Sequence, residues 1–159
     1  MRLLRGELKV CEAGLSANSI FPLSVNYNRS IEDSIKVGKY DSVNSDIASE
    51  HFQSNETGEK KVAIELFHFN KEMDTNEALV ELDKQGYRPI TLKELLALGE
   101  EHPNLQREFP IVALGSVWQS PRGGRGCTFL GRYDLDRRLF LGWIVGRWDC
   151  LYRFGAVRK

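Results

Sequence analysis

The sequence predicts an α+β fold. Three observations carry this: residues 60–69 alternate apolar and polar with strand period, two capped helical stretches follow within 74–102, and short strand-like runs separated by loops fill 109–158. Helical and strand periods occupy separate parts of the chain instead of alternating, which is the α+β pattern and not the α/β one. At 159 residues the chain suits one domain, with residues 1–59 as an N-terminal segment and 60–159 as the folded body.

Taken in order, "LLRGELKV" (3–10) places apolar residues near period two and predicts a strand. Residues 13–59 are rich in Ser, Asn and Asp around short apolar stretches such as "IFPLSV", and predict mostly irregular chain with a few short elements. "KKVAIELFHF" (60–69) alternates Val62, Ile64 and Leu66 with Ala63, Glu65 and Phe67, a strand. In "DTNEALVELDKQG", Asp74 stands three residues before Glu77 as a capping box and Gly86 stops the run, so 75–85 is a helix. "PITLKELLALGEEHP" repeats the device with Thr91 and Glu94, sets Leu92, Leu95, Leu96 and Leu98 on one side, and ends before Pro103. Then come an apolar strand at 109–118, a Gly-rich turn at 120–126, a short strand "CTFLG" (127–131) and a loop "RYDLDRR" (132–138). The strands "LFLGW" (139–143) and "LYRFGAVR" (151–158) complete the order.

The net charge of zero hides a division. Residues 1–108 hold 13 Lys plus Arg against 19 Asp plus Glu, whereas 109–159 hold nine against three. All 14 glutamates lie at or before Glu108, and no lysine falls between Lys93 and Lys159. At the earlier frequency, residues 109–158 would hold about ten Lys plus Glu, and they hold none. The same span keeps eight arginines, which a segment that excluded Lys and Glu by burial would also have excluded. Strand preference, which disfavours Lys, Glu and Asn, is the plain alternative.

Cys11, Cys127 and Cys150 form no disulfide framework and share no metal-ligand spacing, so reduced thiols are expected, with a pair between two of them the second choice. His51, His68 and His102 are dispersed, and no base accompanies a cysteine at any recognisable spacing. "RGGRG" lacks the Lys-Ser/Thr of a phosphate loop and precedes no helix. The expectation is a protein that is not an enzyme and uses no metal or cofactor. No apolar run approaches the roughly 18 residues of a membrane helix, and Arg5, Glu7 and Lys9 interrupt any signal-peptide core, so a cytoplasmic protein is expected unless another route exports it.

The C-terminal stretch "LGWIVGRWDCLYRFGAVRK" mixes rigid aromatics, single glycines and arginines, the side chains favoured at binding hot spots. In a strand, Phe140 and Gly142 face one way while Leu141 and Trp143 face the other; Trp143, Trp148 and Phe154 are expected in the core.

The span "IELFHFNKEMDTNEALVELDKQGYRPITLKELLALGEEHPNLQREFPIVALGSVW", followed by a Gly- and Arg-bearing segment and closed by "RFGAVRK", is similar to the variable proteins of diversity-generating retroelements. The likeness covers residues 60–159, with a weaker echo in "VGKYDSVNSDIASEHF" (37–52). It implies a C-type-lectin-like domain of two short helices and several short antiparallel strands, and a ligand-binding protein whose end is rewritten by adenine mutagenesis of a template repeat. Asn codons mutated at their adenines, with the final pyrimidine kept, never yield Lys, Glu, Gln, Met or Trp; residues 120–153 contain no Lys, Glu, Gln or Met, and only Trp143 and Trp148 break the set. The resemblance thus implies variable ligand-binding positions at Arg122, Gly124, Gly126, Phe129, Arg132, Tyr133, Phe140, Gly142, Val145, Arg147, Asp149, Cys150, Leu151 and Tyr152. Trp118, Leu139, Leu141, Trp143, Trp148, Arg153, Phe154 and Val157 would be scaffold. "WDC" (148–150) lacks the companion Glu-Pro-Asn and disulfide pattern of calcium-binding lectins, so neither calcium nor sugar is implied.

The ligand expected is a protein, and an oligomer is compatible with the chain. The alternative is a nucleic-acid-binding module stacking bases on Phe140, Tyr152 and Tyr133 among arginines, although lysines should then share the work. An enzyme using Cys150 or Cys127 ranks last.

Overall fold

The computed structural model describes residues 19–159, and over these the fold is α+β, with four helices packed on a mixed sheet. The strand expected at 3–10 lies outside the described residues. Strand β1 (Ser19–Asn26) pairs with β3 (Glu59–Phe67), which pairs with β10 (Arg153–Arg158). The sheet continues through β6 (Ile111–Gln119), β7 (Arg125–Tyr133), β8 (Asp136–Trp143) and β2 (Ser42–Val43), while β5 (Tyr87–Pro89) also pairs with β10. The last strand of the chain therefore sits in the middle of the sheet. Six pairings are antiparallel, in keeping with the several short antiparallel strands expected, and two, β10 with β6 and β2 with β8, are parallel. A separate small ladder joins β4 (Met73–Asp74) to β9 (Arg147–Trp148).

At β6 both faces of the sheet are covered. On β6, Ile111 and Ala113 face a core shared with helices α1 (Ile31–Gly38) and α3 (Leu92–Glu101), whereas Val112 and Leu114 face a second core with α2 (Thr75–Lys84). A strand buried on both sides reads as a continuous apolar run, which is what "IVAL" is. The two predicted capping boxes are present, Asp74 with Glu77 opening α2 and Thr91 with Glu94 opening α3. Gly86, at φ 83°, turns the chain out of α2 as predicted. A short helix α4 (Leu105–Glu108) then leads into β6.

Residues 19–58 hold three short elements, β1, α1 and β2, joined by irregular chain, as expected. In β1, Phe21, Leu23 and Val25 alternate inward, and Pro22 is tolerated because β1 is an edge strand. Helix α1 opens at Ser30, whose side chain accepts the Asp33 amide. Tyr27, Ile31, Ile47 and Phe52 then join the same core as the α3 leucines, so this stretch is not separate from the body that follows residue 60. Four helices form among the described residues where two were expected.

"RYDLDRR" is not a loop. β7 and β8 run straight through it, pairing Arg132 with Arg137 and Tyr133 with Asp136, around a two-residue turn in which Asp134 takes φ 53°. Arg137 is only 5% exposed. Its guanidinium donates to the Gly38 and Lys39 carbonyls at the end of α1 and to the Gly99 carbonyl in the last turn of α3. One buried cation thus closes the negative ends of two helices. Elsewhere, Ile90 threads between two glycines: its amide donates to the Gly155 carbonyl at 3.0 Å and its carbonyl accepts the Gly115 amide at 2.8 Å. A Cβ on Gly155 would run into the Ile90 side chain, and one on Gly115 into its carbonyl.

Candidate functional site

The positions implied by the resemblance separate into three places. Arg122, Gly124 and Gly126 lie at the β6–β7 turn, which Gly123 closes at φ 100°. Val145, Arg147 and Asp149 lie in and beside the loop between β8 and β9 and the turn after it. The third group, Phe129, Phe140, Leu151 and Tyr152, shares one groove with Arg132.

That groove follows from strand parity. Phe129 and Phe140 are register partners across β7 and β8, on the face that looks away from α1 and α3, and their rings stack with centroids 4.8 Å apart. Tyr152 closes edge to face on Phe129 at 5.5 Å, and both rest on Trp148, which is itself packed in the second core. Gln106, Glu108, Phe109 and Pro110 supply the opposite wall, and Gly131 and Arg153 complete a groove of about 470 Å³. Gly142 lies under Phe129, where a Cβ would meet its ring at 3.1 Å. Tyr133 stands beyond the groove with the Arg138 guanidinium 4.9 Å over its ring.

The loop after β8 is held largely through main-chain atoms. Thr75 Oγ1 donates to the Ile144 carbonyl at 2.8 Å and accepts from Trp148 Nε1 at 3.0 Å. β9 pairs with β4, and His68 Nε2 lies 2.7 Å from the Cys150 carbonyl. Arg147 reaches Glu72, Asp74 and Glu77 at 3.3, 3.8 and 3.6 Å, a half-exposed cluster at the start of α2.

Two expectations are corrected. Trp143 is 47% exposed, stacked on Trp118, because β8 outruns the helices that cover the sheet; Trp148 and Phe154 are buried as expected. Cys150 is buried and disulfide-bonded, so it is neither a reduced thiol nor a side chain free to meet a ligand. Gly126 is buried, and a Cβ there would meet the Leu141 side chain at 3.1 Å, so a residue larger than glycine requires Leu141 to shift. Cys127 is a free thiol, and burial pushes it up to about 12, far from the thiolate a nucleophile needs.

The arginines are mostly engaged within the fold. Arg132 donates to the Asp134 carbonyl, Arg137 closes two helices, Arg138 covers Tyr133, Arg147 meets three carboxylates, Arg153 lies 4.2 Å over Phe109, and Arg158 covers Tyr87. The surplus of arginine in this half therefore has a structural cause in six of its eight members. Of the groove, sequence reasoning missed Gln106, Phe109, Pro110 and Gly131, since neither period nor motif marks a lone polar residue in a one-turn helix.

Among the described residues no three His, Cys, Asp or Glu gather as a metal site, and no helix is long and apolar enough to cross a membrane. The chain matches no family model, no curated protein and no solved structure.

Proposed function

We propose that this protein is a non-enzymatic ligand-binding protein that presents a diversified C-terminal surface on a C-type-lectin-like scaffold, with a protein as its ligand. One observation carries the reading. Phe129, Arg132, Phe140, Leu151 and Tyr152, all drawn from the residue types that adenine mutagenesis of Asn codons allows, converge from two strands and a turn on a single groove. The buried Trp148, Phe154 and Leu139 beneath and beside them are scaffold. Exposed and half-buried positions change at small stability cost, whereas buried ones do not, so the arrangement suits variation of the surface over a fixed base. The engagement of most arginines within the fold weighs against the nucleic-acid alternative.

The test is a library. Positions 129, 132, 140, 151 and 152 are randomised with pyrimidine-ending codons, displayed, and panned against several unrelated proteins. Folded binders to most targets are expected, while the same library at 139, 141, 148, 154 and 157 should yield little folded protein. Loss of folding in the first library, or no binders from it, would overturn the proposal.

A further inference from the structure

Strand β1 ends the sheet, and among the described residues it pairs with β3 alone. The ladder sets Ser19 against Leu66 and Asn26 against Glu59, and it continues in the same register with the Tyr27 amide donating to the Gly58 carbonyl at 2.9 Å. In an antiparallel pair, residues that exchange hydrogen bonds alternate with residues that do not, so the odd-numbered positions of β1 bond to β3 and the even-numbered ones point outward. Pro22 agrees with this phase, because it has no N–H to give β3. Ile20, Pro22, Ser24 and Asn26 therefore carry the outward row of main-chain groups. The turn that follows takes the Asn26 carbonyl, which accepts the Arg29 amide at 3.2 Å. Positions 20, 22 and 24 are left as the open edge, with the middle donor removed by proline.

A free strand edge is a template for another chain, and proteins blunt it with charge, with brevity or with proline. The strand "SIFPLSVN" holds no charged residue, and the uncharged run continues to Asn28. Ile20 is 57% exposed beside it. Pro22 apart, the eight residues are strand-forming, apolar and uncharged, the make-up of a segment that pairs edge to edge. The opposite edge relies on brevity. β2 is two residues long, pairing Ser42 with Arg138 and Val43 with Leu139, and the chain turns away where the Ile47 amide donates to the Asn44 carbonyl at 3.1 Å.

We infer that Pro22 keeps β1 from pairing with β1 of a second copy of the chain. A strand laid antiparallel on this edge loses the hydrogen bond from position 22, and in a pair related by a twofold axis the loss falls on both chains. Any residue with an N–H at 22 completes the row of donors at 20, 22 and 24 and opens the edge. The inference goes beyond the ligand-binding reading and does not rest on it. Three positions of the strand order separate β1 from β7, which helps to carry the groove, so either reading can fail alone.

The test compares the wild-type chain with Pro22→Thr and Pro22→Val by sedimentation equilibrium, with amide hydrogen exchange read at positions 20 and 24. Thr supplies the N–H without adding apolar surface, Val supplies it with a stronger strand former, and the site is exposed, so both variants keep the fold. Each should show a mass above that of wild type that grows over about a tenfold rise in concentration, with the Ile20 and Ser24 amides exchanging about tenfold or more slowly in the associated state. Adding Ser24→Lys, which puts a charge on the edge, should return the mass to the wild-type value. Variants that match wild type at every concentration would overturn the inference, as would association that leaves the Ile20 and Ser24 amides unprotected or that Ser24→Lys does not relieve. So would wild-type chains that associate with these two amides protected, since the edge would then be open with Pro22 in place; that arm holds whatever the stability of the variants.

Discussion

Phe129 and Phe140 are partners across the β7–β8 ladder, their rings stacked with centroids 4.8 Å apart and planes 17° from parallel. Both are half-buried, and Trp148 beneath them is buried. The pair should be worth about 0.5–1.5 kcal/mol of coupling in a double-mutant cycle measured by urea unfolding. Phe140→Ala alone should cost about 1 kcal/mol, whereas Trp148→Ala should cost about 3–5 kcal/mol by leaving a core cavity. Equal costs would mean that surface and scaffold are not energetically distinct.

The glycines of the C-terminal half divide in the same way. A side chain at Gly126 would press on Leu141 at 3.1 Å inside the sheet, whereas one at Gly124 would press on the edge of the exposed Trp143 at 3.2 Å. Gly126→Val should destabilise by about 1–3 kcal/mol, and Gly124→Ser should stay within about 0.5 kcal/mol. Thermal melts of the two variants decide this.

Thr75 bridges α2 to the loop through the Ile144 carbonyl and the Trp148 indole. Thr75→Val keeps the shape but leaves a buried indole N–H unpaired, at about 1–3 kcal/mol. The loss should be local first: amide hydrogen exchange at 144–148 should quicken while α3 stays protected. Uniform quickening would show that the loop is not held at this point.

Much of this was legible in the sequence, and the failures have causes. Asp74 and Glu77, like Thr91 and Glu94, announce helices because a capping box is a local pattern that needs no tertiary partner. The aromatic and arginine character of the C-terminal half likewise stands in composition alone. Pro22 concealed β1, since a proline inside a strand is acceptable only at an edge, and edges are a property of the sheet. Arg137 concealed the turn of β8 into the core, because a buried guanidinium makes sense only once two helix ends converge on it. Trp143 read as core and is exposed because periodicity gives a side chain's direction without saying how far the covering helices reach.

Stability should fall at both ends of the pH range. Burial alone would raise Glu94, but hydrogen bonds from Arg88, Tyr27 and the Thr91 amide outweigh it and hold the carboxyl below its ordinary 4.5. A lowered folded pKa contributes stability that is present above 4.5 and lost as the pH falls beneath it. Glu94→Gln should flatten this acid limb and cost about 3 kcal/mol at pH 7, since it leaves Arg88 without its partner. At the alkaline end, burial raises Tyr27 and lifts Tyr40 to about 12, so their contribution is present below 10 and lost as the pH rises past it. Urea unfolding from pH 3 to 11 would show both limbs, and a flat profile would contradict them.

The central claim is that the groove face is rewritten while its base is kept, and the gene's own neighbourhood tests it most directly. Sequencing should reveal, beside a reverse-transcriptase gene, a near-copy of the codons for residues 119–159. That copy should differ where it carries adenines, with differences at positions 129, 132, 140, 151 and 152 and none at 139, 148 or 154. A locus with no such repeat and no reverse transcriptase, or a repeat whose differences fall on the buried base, would contradict the account.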